Sequence, residues 1–426
     1  FHANPNLLDL VAELMGDAPR LADHLARHSG LLDAVVSRGF FEAPAQGADL
    51  DVDLDRALAE SVDLQDILDR CRRWVNDRKF QIGVLVLRNL IDPEHAGHAL
   101  SDVADTVLSR LLPRIEEEFA RNHGRIPGAG LAIVAMGKMG SREMTATSDL
   151  DLILIYDLPE NVDSSDGPKP LSPSTYFARL TQRLLNALTV KTGEGTLYEV
   201  DMRLRPSGNA GPIATSLEAF HRYHREAAWT WEHLALARAR VVAGPPLLVA
   251  EIERVIRETL RQPRDPEKLL MDVADMRERM AKEHKGSFWE VKRRRGGLVD
   301  IEFIGQYLQL LHAQACPDIL CSNTGCMLES AVLNGLLPAE QGGLLREALR
   351  LWTAVQTVLR QTVEGAFHED TASDGLKHCL CAAAGVDDFA ALKDRMDRTA
   401  TQVHALFEDM IGAPGRTLIN QHKDQP

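Results

Sequence analysis

Between Leu131 and Asp157 the chain runs an apolar segment into a glycine-bounded turn and then into a second apolar segment carrying two aspartates. This stretch restricts the rest of the fold. Leu131 to Met136 is a short apolar run bounded by glycine, which reads as a buried strand rather than a helix. The turn that ends it, Gly137-Lys138-Met139-Gly140-Ser141, offers flexible backbone N–H groups, an ammonium and a hydroxyl, all suited to phosphate. A second strand starts at Asp149. Because strand side chains alternate, Asp149 and Asp151 share one face while Leu150 and Leu152 point to the other. Carboxylates about 6–7 Å apart along a strand can reach two divalent ions at the ~3.5–4 Å separation of two-metal phosphoryl-transfer sites. Oxygen-only ligands favour two Mg²⁺ ions, with Mn²⁺ as an alternative. Strand interiors are depleted in Asp, so a pair at i, i+2 leading into Leu152-Ile153-Leu154-Ile155-Tyr156 argues for function over a merely solvated strand face.

A further stretch alternates in the same way. Leu197, Glu199, Asp201, Arg203 and Arg205 fall on one side, and Tyr198, Val200, Met202 and Leu204 on the other. On residues alone this is either a half-buried strand with a solvated ion-pair row, or a strand adding a third carboxylate, Asp201, with Arg203 and Arg205 near the phosphates.

The formal net charge of −14 repels polyanions, which argues against a nucleic-acid substrate and favours a protein acceptor. No apolar run approaches the roughly 18 residues of a membrane span, and no basic segment followed by an apolar one opens the chain. The six cysteines form no CxxC pair. Cys316, Cys321, Cys326, Cys379 and Cys381 have unusual spacings for zinc, so free and partly buried thiols in a cytoplasmic protein are expected.

The remaining patterns are mostly helical. Residues 1–95 carry amphipathic stretches without evident chemistry, broken at 43–53, with a helix over about 54–75. His24 and His28, at i, i+4, lack the acidic context of a zinc motif and read as surface groups. A helix near 98–121 contains Pro113, which is expected to kink or divide it. Pro159 to Pro173 reads as a mobile surface loop, with Ser174 capping the helix that follows. Thr215 to Glu218 has capping-box spacing. His221 and His224 read as surface or core groups, and Trp229 and Trp231 as core. Pro263 and Pro266 mark a domain boundary. Lys292-Arg293-Arg294-Arg295 reads as a charge run. On the helix after it, Asp300 and Glu302 stand about 200° apart, so one is expected to touch the catalytic domain and the other to face water. Helices at about 342–362 and 387–411 complete a bundle.

Gly140-Ser141 followed by Asp149-Leu-Asp151 resembles the signature of the DNA polymerase β-like nucleotidyltransferases. Leu197 to Gly208, Trp229 to Val242 and Gly296 to Phe303 extend the likeness to the glutamine synthetase adenylyltransferase (glutamate–ammonia ligase adenylyltransferase) family. The resemblance covers nearly the whole chain. It implies an α+β, predominantly α fold: a nucleotidyltransferase core with a small mixed sheet at 96–260, an N-terminal helical region at 1–95, and a C-terminal helical bundle at 261–426 like that of the PII uridylyltransferase. It also implies that Asp149, Asp151 and Asp201 are catalytic and bind metal. Gly140, Ser141, Lys138, Arg203 and Arg205 then hold ATP. The expected reaction is AMP transfer to a tyrosine of glutamine synthetase, lowering its activity in nitrogen regulation, with the PII signal protein and glutamine as regulators. The wording Ser148-Asp-Leu-Asp151 with Trp229 to His233 resembles the attaching half of a two-half enzyme. A chain that starts at Phe1 is then expected to be a fragment lacking the removing half. Phosphorolytic removal of AMP, or a regulatory docking module without catalysis, are the alternative readings.

Overall fold

In the computed structural model, residues 5–27, 31–36, 38–283 and 287–423 are described, so His28 lies outside the described residues. Helices surround one small mixed sheet. Its strands are β1 (Gly130–Ala135), β2 (Leu150–Asp157), β3 (Val200–Asp201), β4 (Thr215–Ser216) and β5 (Arg240–Ala243). The order is β3-β2-β1-β5, with β4 also pairing β2. β1 runs antiparallel to β2 and β5, whereas β3 and β4 lie parallel to β2. Leu131, Ala132, Ile133, Val134 and Ala135 are fully buried. Burial on both faces is what makes β1 an unbroken apolar run rather than an alternating one. The helices Pro93–His123, Leu217–Glu226 and Pro246–Leu260 pack against the strands.

Several elements differ from the sequence reading, each for a local reason. The strand expected through Leu204 stops at Asp201, because the Arg203 N–H turns back to donate to Asp201 Oδ1 (2.8 Å) and the Arg205 N–H to Met202 O (3.2 Å). β5 occupies part of a segment that looks helical by composition. The helix before it covers only Thr230–Leu236. Trp229 and Trp231 at its start are 71% and 41% exposed, so they are not core. The helix expected over 54–75 is two helices, Ala48–Leu58 and Leu64–Leu87, with Asp63 capping the second by accepting from the Asp66 N–H at 2.8 Å. Pro113 does not divide the helix Pro93–His123. It sits at an exposed position, where the missing N–H is least costly.

The segment expected to be a mobile loop is pinned instead. Ser165 is buried and exchanges hydrogen bonds with Leu171, its N–H donating to Leu171 O and its Oγ accepting from the Leu171 N–H, both at 3.0 Å. Asp166 Oδ1 accepts from the Arg125 N–H at 2.7 Å. Gly167 lies so close to Gly124 that a Cβ on it would stand 2.0 Å from the Gly124 nitrogen. The helix that follows begins at Pro173, a residue suited to a first helical position, rather than after a Ser174 cap.

One apolar core runs without interruption from Leu50 through the sheet to Ile411 in the C-terminal helices, and a smaller one, including Leu10, Leu14 and Phe80, lies under the first helices. The helices Leu298–His312, Ala339–Thr362 and Phe389–Phe407 pack as a bundle. Fully buried Trp352 anchors it by donating its indole N–H to Gly296 O at 3.0 Å. Ala339–Thr362 also packs on Pro93–His123, which fixes the bundle beside the sheet. Against the expectation of six free thiols, Cys321 and Cys326 are joined as a disulfide. Cys71, Cys316, Cys379 and Cys381 are free. No helix among the described residues is long and apolar enough to cross a membrane.

Candidate active site

The register of the sheet builds the acidic centre. In the parallel β2–β3 pair Asp151 stands opposite Asp201, and Asp149 lies two residues before Asp151 on the same face. One oxygen from each of the three carboxylates lies within 4.8 Å of the other two. Among the described residues this is the only group of three or more His, Cys, Asp or Glu side chains so placed. Asp149 is exposed, and Asp151 and Asp201 are half-buried. Burial, then the charges of Asp149 and Asp201, push Asp151 up to about 6. Asp201 moves the other way. Arg203 donates to it from Nε (2.7 Å to Oδ2) and from the backbone, which holds its carboxyl below the usual range. Carboxylates crowded enough to raise one another, as Asp149 and Asp201 raise Asp151, are what a divalent ion relieves, and an all-carboxylate donor set suits Mg²⁺ or Mn²⁺.

Gly137–Gly140 forms a single helical turn after β1. The Gly140 N–H donates to Met136 O (2.9 Å) and the Ser141 N–H to Gly137 O (3.1 Å), so both amides are used inside the turn. Gly137 adopts φ 53°. A Cβ there would stand 2.1 Å from Asp151 Oδ2, so glycine is what lets the turn meet the carboxylates. A Cβ on Gly140 would instead meet Arg238 O at 2.0 Å and Ala135 O at 2.6 Å. Ser141, fully buried, donates to Glu143 Oε2 (2.9 Å) and accepts from Arg238 (2.7 Å).

Arg238 is the hub that sequence patterns did not show, because it sits in a segment read as core. Its guanidinium reaches Ser141, Glu143 Oε2 (2.7 Å) and Glu302 Oε2 (3.0 Å). Glu302 belongs to the bundle, so this is the expected contact with the catalytic domain. Asp300, however, is not solvated. It is fully buried, paired with Arg277, and accepts from the Gly296 N–H. Two more bundle residues reach the turn: the Thr324 N–H donates to Glu143 Oε1 (2.8 Å), and Asn323 Nδ2 to Ser141 O (3.1 Å).

Lys138 donates to Gln356 of the bundle. Burial, then the charge of Lys292, presses its pKa down to about 7. Lys292 and Arg238 are also the cations that oppose the rise at Asp151, so Lys292, from the basic run, faces the centre electrostatically. Arg205 is placed differently. It donates to Met202 O (2.8 Å) and Pro212 O (3.2 Å), closing the loop after β3. Arg240 pins the turn from behind through a bidentate pair with Asp105 (2.7 and 3.0 Å) and a bond to Met139 O (3.1 Å).

A strand–turn–strand unit with three carboxylates gathered beside the turn defines a nucleotidyltransferase core. The model of the family described as glutamate-ammonia ligase adenylyltransferase matches residues 8–255, and that described as PII-uridylyltransferase matches residues 269–411. The chain belongs to the glutamate-ammonia ligase adenylyltransferase family. It is 45% identical over 410 residues to a bifunctional glutamine synthetase adenylyltransferase/adenylyl-removing enzyme of Rhodopseudomonas palustris (strain TIE-1), a match covering 96% of this chain and 41% of the relative. Proteins of the same description from Bradyrhizobium sp. (strain BTAi1 / ATCC BAA-1182) and Xanthobacter autotrophicus (strain ATCC BAA-1158 / Py2) are each 42% identical, with 96% of this chain and 42% of the relative covered. The chain thus spans about two-fifths of the length of these relatives.

Proposed function

We propose that this chain transfers AMP from ATP to a tyrosine of glutamine synthetase, releasing pyrophosphate, with Asp149, Asp151 and Asp201 holding divalent ions. The observation that carries this reading is the convergence of those three carboxylates beside the Gly137 turn. The triphosphate lies along the Gly137–Ser141 turn, which Gly140 and Ser141 shape from below, with Lys138 and Arg203 offsetting its charge. A divalent ion held by Asp201 would replace Arg203 as its counter-charge, leaving the Arg203 guanidinium for a phosphate. A tyrosine phenol of pKa about 10 is ionised roughly once per thousand at pH 7, a deficit of roughly 4 kcal/mol. Bound Mg²⁺ or Mn²⁺ supplies Lewis-acid stabilisation of the attacking phenolate and of the leaving pyrophosphate. The phenol oxygen attacks the α-phosphorus, the bond to the pyrophosphate oxygen breaks, and an aspartate of the triad takes the phenol proton. The bundle at residues 269–411 is the proposed contact for the PII signal protein, on its family likeness.

The test is direct. Incubation with glutamine synthetase, ATP labelled at the α-phosphate and Mg²⁺ should yield labelled protein and pyrophosphate. Release of ADP from adenylylated glutamine synthetase and phosphate, without attachment in the first assay, would assign the removing direction instead. No metal-dependent turnover in either assay would leave a docking module.

A further inference from the structure

A cavity of about 430 Å³ whose lining includes none of the three carboxylates is walled by the helices Pro19–Arg27 and Leu64–Leu87, the segment Lys191–Thr196, Ala146, and the end of the Ala339–Thr362 helix. Its volume is within the range of small-molecule sites. None of its lining residues belongs to the catalytic set described above.

The charges in this cavity run against the composition of the chain. Acidic residues outnumber basic ones by 62 to 48, so a lysine or arginine ordinarily finds a carboxylate. Within the lining, Asp23 is taken by Arg27 (3.3 Å), and Glu194 pairs with Arg73 (3.6 Å). Arg20, Lys79 and Lys191 have no carboxylate partner among the described residues, and the remaining acid, Glu364, is exposed. The Lys79 ammonium rests 4.1 Å above the Tyr198 ring, and burial, then the charge of Arg20, lowers its pKa to about 8. Gln361, 1% exposed, also lines the space. Two half-buried cations and a third at the rim all lack one thing, which is acceptor oxygen.

We propose that this cavity binds a small oxyanion, rich in carboxylate or phosphate oxygens, at a site separate from the three carboxylates. The proposal does not depend on the reaction assigned above. Two of its walls continue along the chain into the catalytic strands: Ala146 lies in the loop that leads to Asp149, and Thr196 leads through buried Leu197 and Tyr198 to Asp201. A bound anion would bridge the N-terminal helices, the bundle and both approaches to the acidic centre.

Calorimetric titration of the full chain, kept metal-free, tests this with inorganic phosphate in one arm and citrate in the other. At least one probe should bind with a Kd below about 1 mM. The arm that binds identifies phosphate or carboxylate as the preferred group. Arg20→Met and Lys79→Met should each weaken binding by roughly tenfold or more, Lys79→Arg should retain it, and Asp151→Asn should leave it intact. Thermal unfolding without probe checks that each variant folds. Should Lys79→Met not fold, Lys191→Ala, at an exposed position, should still weaken binding measurably. Absence of binding by both probes up to about 10 mM, or binding unchanged by Arg20→Met and Lys191→Ala, would overturn the proposal.

Discussion

Asp149 and Asp151 differ in exposure but share a strand face, so replacing either by Asn removes one charge and one ligand without a packing change. Adenylylation should fall on the order of a thousandfold or more in each variant, with the fold retained. Near-normal turnover of either would remove the metal reading. Gly140 makes a contrasting case. Its missing Cβ is required by Arg238 O and Ala135 O, which are backbone atoms that cannot swing aside. Gly140→Ala should therefore cost roughly 1–3 kcal/mol of stability, read as a lowered midpoint in denaturant. An unchanged midpoint would mean that the strand–turn unit adapts. The three aspartates and the glycine-rich turn were legible because strand alternation and turn chemistry act over a few residues. Glu302 was legible only as one of two candidates, and Arg238, Gln356 and Lys292 were not legible, since their part in the site arises from contacts across 64 to 218 positions or from a field across the domain interface.

Among elements, β1 and β2 could be read from apolar runs and β3 from alternation, though over too long a span, whereas β5 could not be read. β3 has two residues, and its sheet pairing depends on Leu150 and Asp151 rather than on its own pattern. The Trp229–Trp231 segment misled because large aromatics usually signal burial, yet here they open a short helix facing solvent. In the helix Leu217–Glu226, His224 is 3% exposed, packs against Phe220 at 4.5 Å, and has no partner for either ring nitrogen among the described residues. Burial, then His233, lowers its pKa to about 3. The unfolded chain takes up that proton near pH 6.5 and the folded chain does not, so this site's contribution to stability is intact above 6.5 and is lost progressively as pH falls towards 3. His224→Phe keeps the ring and removes the proton site. It should raise the melting temperature more at pH 5 than at pH 8, and an equal change at both would contradict the assignment. The bundle offers a second comparison. Asp300→Asn strands the buried Arg277 charge and should cost about 3–5 kcal/mol. Glu302→Gln leaves Arg238 its bonds to Glu143 and Ser141 and should lower turnover more than stability.

For the whole molecule, the boundary drawn near Pro263 and Pro266 separates two family likenesses but not two cores. Apolar packing continues from Leu50 to Ile411, and the Ser141–Glu143–Arg238 cluster is completed by Glu302, Asn323 and Thr324 from beyond the boundary. Pulling the bundle away would expose that core and leave Arg238, about one-tenth exposed, with half-satisfied partners. The linker itself is a poor staple: Arg261, Pro263 and Asp265 are exposed, and Arg264 bonds mainly to the end of the preceding helix, at Leu260 O (2.8 Å) and Thr259 O (3.0 Å). Chain continuity at 261–265 therefore contributes little beyond the packed interface. A protease site inserted there and cleaved in the folded protein should give two pieces that co-elute on size exclusion, unfold in one thermal transition and retain metal-dependent turnover. Pieces that separate in native buffer, or that unfold in two transitions, would show that the sheet and the bundle are independent bodies and that the Arg238 contacts do not hold them together.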